Sequence, residues 1–235
     1  MENATGIENA AYRQTILDTL QTAIDDTSPV VRAKAAEALG KLGDAATIPT
    51  LLARLTDDSA SVRSSIARAL GAIGSETALP ALLQTLQDSN PNVRQSGTEA
   101  LGNLGADAAI PGLLATLQDE SASVRQSGAE ALGNLGAEAA IPGLLHTLRD
   151  EDADVRTTAA EALGKMGADA ALPGLLQQVE NDDVRVRQVA AIALGKLGDE
   201  AAIPILMRLL QDADAIVRES AIEALGCIAE YRSVA

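Results

Sequence analysis

The segment VRQSGTEALGNLGADAAIPGLL at residues 93–114 recurs almost unchanged as VRQSGAEALGNLGAEAAIPGLL at 124–145. The same skeleton continues in both directions with a period of 31 residues and no insertion. A Val-Arg pair begins each repeat, at 31, 62, 93, 124, 155, 186 and 217. A fixed period of this length is typical of a solenoid, in which each repeat is one supersecondary unit. We therefore predict an all-α, right-handed α-solenoid of about seven two-helix repeats.

Each repeat has the pattern of two helices. The first contains a leucine run with a proline near its start, such as Pro111, where a missing N–H is tolerated. The second starts at the Val-Arg pair, and its apolar residues form one helical stripe. A glycine such as Gly105 closes it, as expected for a left-handed helix end. The inner glycine, such as Gly102, costs about 1 kcal/mol against alanine within a helix, and so indicates a close approach between neighbouring helices.

The ends of the chain depart from the repeat. We predict a disordered N terminus at 1–8, a single solenoid at 9–230 and a C-terminal tail at 231–235. The first helix, at about 9–25, lacks the proline, and the chain closes with AEYRSVA where other repeats have glycine and a following helix. Atypical terminal repeats are usual in solenoids.

Composition narrows the function classes. Eighteen basic and 33 acidic residues give a net charge of -15, which argues against nucleic acid, since binding there requires Lys and Arg at phosphates. One cysteine (Cys227) and one histidine (His146) leave no multi-cysteine metal site and no nucleophile–histidine arrangement. We predict no cofactor, no metal and no catalytic residue. The start lacks a signal-peptide pattern and no segment suits membrane insertion, so we expect a cytoplasmic location.

The arginine of each Val-Arg pair follows an acidic residue by about six positions. We interpret these residues as a structural ladder that fixes the register between repeats, the alternative being an anion-binding row. At Asn181 an amide replaces the acid, and Asp182 and Asp183 beside it give the ladder an acid to shift to. The predicted Arg–Asp ladder comprises Asp26, Arg32, Asp57, Arg63, Asp88, Arg94, Asp119, Arg125, Asp150, Arg156, Arg187, Asp212 and Arg218.

The succession of a Val-Arg pair, ALG-x-LG and IP-x-LL resembles HEAT repeats of the short 31-residue subclass, recognised in phycobilisome bilin lyases and underlying designed α-helical repeat proteins. The resemblance covers about residues 26–230. It implies that the second helices line the concave side of the array. It implies much less about function, because one fold serves many functions.

Three rows of the second helix, at +2, +6 and +10 from the valine, lie opposite the apolar stripe. Five of seven residues in the +6 row are glutamate. We predict that this polar, acidic face binds a partner protein through a basic or polar segment, the alternative being an ordinary solvated helix face. The predicted binding residues are Gln95, Glu99, Asn103, Gln126, Glu130, Asn134 and Glu161.

The leading functional hypothesis is a non-catalytic protein–protein interaction scaffold. The resemblance implies a second candidate, a phycobilisome factor: a bilin lyase subunit or chaperone, or an assembly or degradation protein. The absence of Trp and Phe and the single His count against a lyase, because little remains to stack on or hydrogen-bond a tetrapyrrole. A third candidate is an engineered consensus repeat protein, suggested by the gapless register. The sequence specifies no oligomeric state and no metal or reactive role for Cys227.

Overall fold

A computed structural model describes the backbone of residues 2–181 and 183–234, and the side chains within these ranges except at 2–10, 168–169 and 231–234. The chain divides into two compact units, Met1–Ala109 and Ile110–Ala235. All regular structure among the described residues is helical. The predicted all-α class is therefore confirmed.

In the described part of the chain, seven second helices follow the 31-residue period. Each begins two residues before the valine of the Val-Arg pair, because the preceding turn supplies the first helical residues. A left-handed glycine directly follows most of them, for example Gly74 with φ 71°. The exception among these glycines is Gly167, which Met166 separates from the helix at 153–165, and which has φ 95° and ψ 161°. The second helices are α2 Pro29–Leu42, α4 Ala60–Ile73, α6 Pro91–Leu104, α8 Ala122–Leu135, α10 Ala153–Lys165, α12 Val184–Leu197 and α14 Ala215–Val234.

Most first helices are shorter than the sequence suggests. The exceptions are Glu2–Ala23 and Ala168–Gln178, and in the latter Pro173 lies inside a continuous α-helix. Where the leucine pattern predicts a helix over 109–119, the α-helix covers Ile110–Thr116 and a 3₁₀ turn at 107–109 precedes it. The proline one residue into the α-helix explains the break, since it cannot donate a backbone hydrogen bond. The first helices are α1 Glu2–Ala23, α3 Ile48–Ala53, α5 Leu79–Thr85, α7 Ile110–Thr116, α9 Ile141–Thr147, α11 Ala168–Gln178 and α13 Ile203–Leu209.

Both terminal helices extend beyond their predicted bounds. Helix α1 begins at Glu2, ahead of the predicted start near residue 9, and α14 continues to Val234, into the predicted tail at 231–235. Met1 and Ala235 lie outside the described residues. Among the helices that the structure describes, none combines the length and the apolar character that crossing a bilayer requires.

Within each unit, second helices pack side by side and each first helix packs on the second helix that follows it. In the first unit, α4 lies between α2 and α6, while α1 and α5 pack on α2 and α6. In the second unit, α8, α10, α12 and α14 pack in succession, with α7, α9, α11 and α13 against them. Fully buried leucines such as Leu70 and Leu163 fill the space between helices.

The inner glycines set the distance between neighbouring second helices. A Cβ added at Gly71 would lie 2.6 Å from Ala100 Cα, and one at Gly133 would lie 2.7 Å from Ala162 Cα. Both distances are below van der Waals contact, so the helices approach this closely only because glycine has no side chain. The close approach predicted from the sequence is confirmed at these contacts. It explains how small aliphatic side chains alone can fill the core.

Candidate functional site

The predicted binding residues lie on three second helices of two different units. Gln95, Glu99 and Asn103 belong to α6 in the first unit. Those of the second unit lie on α8 and α10, and they are Gln126, Glu130, Asn134 and Glu161. All seven are exposed or half-buried, so each is available to a partner.

In the first unit, α2, α4 and α6 surround an open depression of about 620 Å³, which we call the second-helix groove. Two of the predicted binding residues, Gln95 and Glu99, line it. The rest of its lining is mostly hydroxyl, amide or charged. The lining residues are Val30, Ala33, Lys34, Glu37, Ala60, Ser61, Ser64, Ser65, Arg68, Asn90, Asn92, Gln95, Ser96 and Glu99.

Short polar side chains form the floor of the second-helix groove. The hydroxyls of Ser64 and Ser96 lie 2.7 Å apart and join α4 to α6. Ser64 also donates to the carbonyl of Asn92 at 3.4 Å. Both serines are buried, and their hydrogen bonds offset the cost of placing polar atoms there. Long side chains at these positions would fill the depression.

The rim of the groove carries both signs of charge. Lys34 donates to Glu37 at 2.8 Å, and this hydrogen bond lowers the pKa of the Glu37 carboxyl below its ordinary value. Arg68 lies 3.9 Å from the same carboxylate, and Glu99 accepts a hydrogen bond from Gln95 at 2.9 Å. The groove is therefore less acidic than the row of glutamates suggests. Lys34 was missed because it lies at +3, outside the three rows considered.

In the second unit, the predicted binding residues cross-link adjacent second helices. Gln126 on α8 donates to Thr158 on α10 at 3.2 Å, and Lys165 on α10 donates to Asn134 on α8 at 2.8 Å. Glu161 accepts from Lys196 of α12 at 2.7 Å. Glu130 is exposed on α8. Part of this face therefore stabilises the packing of repeats as well as facing solvent.

Several arginines of the predicted ladder bind the acid of the next repeat through two parallel hydrogen bonds. Arg125 is representative: its Nε and Nη2 donate to Asp150 at 2.7 and 2.8 Å. Its Nη1 donates to the carbonyl of Asp119 in its own turn at 2.8 Å. The Asp150 carboxylate also accepts the N–H of Asp152 at 2.9 Å. The bidentate pairs are Arg32–Asp57, Arg63–Asp88, Arg125–Asp150 and Arg187–Asp212.

These contacts favour the charged form of the acids. The arginine hydrogen bond lowers the pKa of Asp57, Asp88 and Asp212 below the ordinary carboxyl value. Ladder residues also hold their own turns: Arg94 and Arg218 donate to the carbonyls of Asp88 and Asp212. Asp26 and Asp119 accept the N–H of Ser28 and Ser121.

Among the described residues, the ladder is interrupted at Arg156. Its Nη1 donates to the carbonyls of Asp150 and Glu151, but its buried Nε has no acceptor within hydrogen-bonding distance among the described residues. At the position where the other repeats have the acid, the next repeat has Asn181, whose amide oxygen accepts the N–H of Asp183. The other end of an amide donates and cannot accept from Nε.

The ladder does not shift to Asp183, one of the two acids that the sequence offers beside Asn181. Asp183 instead binds Arg185 at 2.7 Å, and that side-chain hydrogen bond lowers its pKa to about 2. Asp182 lies outside the described residues. The sequence itself indicates the interruption, because an amide stands in a row of acids. The prediction did not include Arg185, which competes for the Asp183 carboxylate.

The remaining reactive side chains do not form a cluster. His146 is exposed beside a small depression that also contains Arg149 and Glu151, and Cys227 is an exposed free thiol on α14. Within the described part of the chain, no group of three or more His, Cys, Asp or Glu side chains is placed to hold a metal ion.

Comparison with solved structures shows a widely shared fold. The complex of CpcE and CpcF of phycocyanin lyase from a Nostoc species is similar, with 24% identity, a TM-score of 0.59, and coverage of 91% of this chain and 94% of that one. Kap95p, solved with RanGDP, has 18% identity and a TM-score of 0.70 over 92% of this chain but 34% of its own. An engineered protein has 23% identity and a TM-score of 0.55, covering 91% and 68%.

Identities this low show the fold alone, and 361 solved chains match, so the likeness does not select one function. No curated protein sequence matches the chain. The model of HEAT repeats matches in four overlapping segments, at residues 4–69, 48–133, 110–186 and 141–226. These segments span nearly the whole sequence, and the chain therefore belongs to the HEAT-repeat family.

Proposed function

We propose that this chain is a non-catalytic scaffold that binds a partner protein along the exposed face of its second helices. The observation that carries the proposal is the second-helix groove. The second helices of three consecutive repeats there line one open depression of about 620 Å³, mostly with polar and charged side chains. Small-molecule sites are instead mainly apolar and aromatic, and none of the described residues lining this groove is aromatic.

The chemistry of the groove favours a polar peptide segment as its occupant. Glu99 and Glu37 on its rim can accept from a basic side chain, while Gln95 and Asn92 can hydrogen-bond a peptide backbone. Solenoids bind partners along such extended surfaces. Two similar structures, CpcE with CpcF and Kap95p with RanGDP, are themselves protein complexes. For this chain we propose a partner segment that is polar and places a basic residue at Glu99.

Reversing the charge at Glu99 and Glu130 together is expected to weaken partner binding about tenfold or more, because like charges at an interface repel. The thermal midpoint should change little, since Glu99 is half-buried and Glu130 exposed. The measurement is a quantitative pull-down from a lysate of the source organism, using immobilised wild type beside Glu99→Arg/Glu130→Arg, with bound proteins identified by mass spectrometry.

The matched control is Asp107→Arg/Glu138→Arg. Both acids are exposed in the 3₁₀ turns that follow α6 and α8, so the control makes the same charge change in the same two repeats, away from the second-helix face. A partner lost by the first variant and kept by the control supports the proposal. A partner kept equally by both variants, or lost equally by both, contradicts it.

A further inference from the structure

Helix α14, the second helix of the last repeat, exposes a position that is buried in every earlier repeat. Ile222 of α14 is 63% exposed. Its equivalents, five positions after the valine in the other repeats, are all 0% exposed: Ala36, Ala67, Thr98, Ala129, Ala160 and Ala191. Within each unit, this position lies four residues before the inner glycine, on the helix face that meets the next repeat. The exposed face of α14 is therefore an inter-repeat packing surface without its neighbour.

The inner glycine of the same helix is also open. A Cβ added at Gly226 would meet nothing within 4 Å. The equivalent glycines at 40, 71, 133 and 195 each lie against the backbone of an alanine in the next repeat, with the added Cβ 2.6–2.7 Å from its Cα. Gly226 thus leaves an empty notch of the shape that accepts such an alanine.

An arginine of α14 also lacks the partner that its equivalents have in the bidentate pairs. Arg218 donates through Nη1 to the carbonyls of Asp212 and Ala213, as the other ladder arginines do in their own turns. Its Nε and Nη2, which bind the acid of the next repeat in the bidentate pairs, have no acceptor among the described residues. The α14 face therefore carries an unfilled donor pair for a carboxylate.

Helix α2, the second helix of the first repeat, carries features that complement those of the α14 face. Val31 of α2 is 40% exposed, whereas its equivalents are 0–1% exposed: Val62, Val93, Val124, Val155, Val186 and Val217. Ala38, which corresponds to the alanine that meets the inner glycine, is only half-buried. The carboxylate of Asp26 accepts the N–H of Ser28 at 2.7 Å, and no described arginine donates to it.

We propose that the α14 face of one copy of this chain binds the α2 face of a second copy, head to tail. Arg218 of one copy then pairs with Asp26 of the other, and Ala38 enters the notch at Gly226. These are the contacts that join repeats within each unit, made between copies. The unfilled donor and the unfilled acceptor give the charge complementarity that selects a second copy. Such a heterologous contact generates rings or open chains.

The test is the mass of the purified chain, measured by sedimentation velocity from micromolar to submillimolar concentration. Wild type should associate as concentration rises, and Ile222→Glu should weaken association about tenfold or more, because a charge replaces a buried apolar contact. Ile216→Glu is the control: this residue lies on the same helix, at a position that is mostly exposed in the other repeats as well. It should associate like wild type.

A charge exchange tests the specific pairing. Asp26→Arg alone and Arg218→Asp alone should each associate weakly, since like charges then meet at the contact. Mixing the two variants should restore association, because every contact between them again joins opposite charges. A wild type that stays monomeric throughout overturns the proposal. So does association that Ile222→Glu leaves unchanged, or two single variants whose mixture stays as weak as each alone.

Discussion

Replacing Gly133 by alanine is expected to lower the free energy of unfolding by about 2 kcal/mol, although alanine is the better helix former. The added methyl group would lie 2.6 Å from Ala162 Cβ and 2.7 Å from its Cα. The backbone of α10 cannot yield as a flexible side chain can, so α8 and α10 must move apart. Urea unfolding followed by circular dichroism measures the loss.

Gly226→Ala is the matched control, since it makes the same change at the same position of the last repeat. No atom lies within 4 Å of the added methyl group there. This variant should be stabilised by up to about 1 kcal/mol through helix propensity alone. The two substitutions should therefore have opposite signs. Equal effects would contradict the view that inner glycines set the spacing of the second helices.

Removing one acid of the ladder should have the second large effect. Asp150→Ala is expected to cost about 3 kcal/mol, because it leaves Arg125 without its carboxylate in a site where that arginine is only 8% exposed. The same change removes the acceptor for the N–H of Asp152. Glu180→Ala, which breaks the well-exposed pair with Arg208, should cost less than about 1 kcal/mol.

Asn181, where the native Arg–Asp ladder is interrupted, allows the reverse experiment, in which an acid is added rather than removed. Asn181→Asp gives Arg156 Nε the carboxylate oxygen that the other pairs have, and should stabilise the chain by about 1 kcal/mol. The measurement is the same urea series. Stabilisation here together with loss at Asp150 supports the ladder as a determinant of packing between repeats. If Asp150→Ala costs no more than Glu180→Ala, the ladder contributes little.

The sequence predicts the repeat architecture well because the period alone determines it. The Val-Arg register places every second helix to within two residues, and glycines such as Gly74 end these helices as expected. Most first helices were predicted too long because a leucine pattern does not distinguish an α-helix from a 3₁₀ turn followed by one. The handedness of the solenoid stays a prediction.

The candidate site was harder to predict than the fold. The sequence pattern predicts one buried stripe on each second helix, whereas a helix packed between two others also buries the +5 position, as Ala67 shows. Cations such as Lys34 and Lys196 also lie beside the glutamates, where they pair with Glu37 and Glu161. The prediction did not include these pairs. The Lys34–Glu37 pair lies three residues apart on α2, so the spacing along that helix already allows it. The Lys196–Glu161 pair joins α12 to α10 and depends on the distance between helices, which spacing along one helix does not give.

The central claim is that the second-helix face is the surface that binds a partner protein. The most direct measurement places a photo-crosslinking amino acid at Gln95, in the groove, and separately at Asp107, in the 3₁₀ turn outside it. Both chains are irradiated in a lysate of the source organism, and the crosslinked products are identified by mass spectrometry. We expect a discrete protein to be captured from Gln95 and not from Asp107. Capture from Asp107 alone, or the same products from both positions, would contradict it.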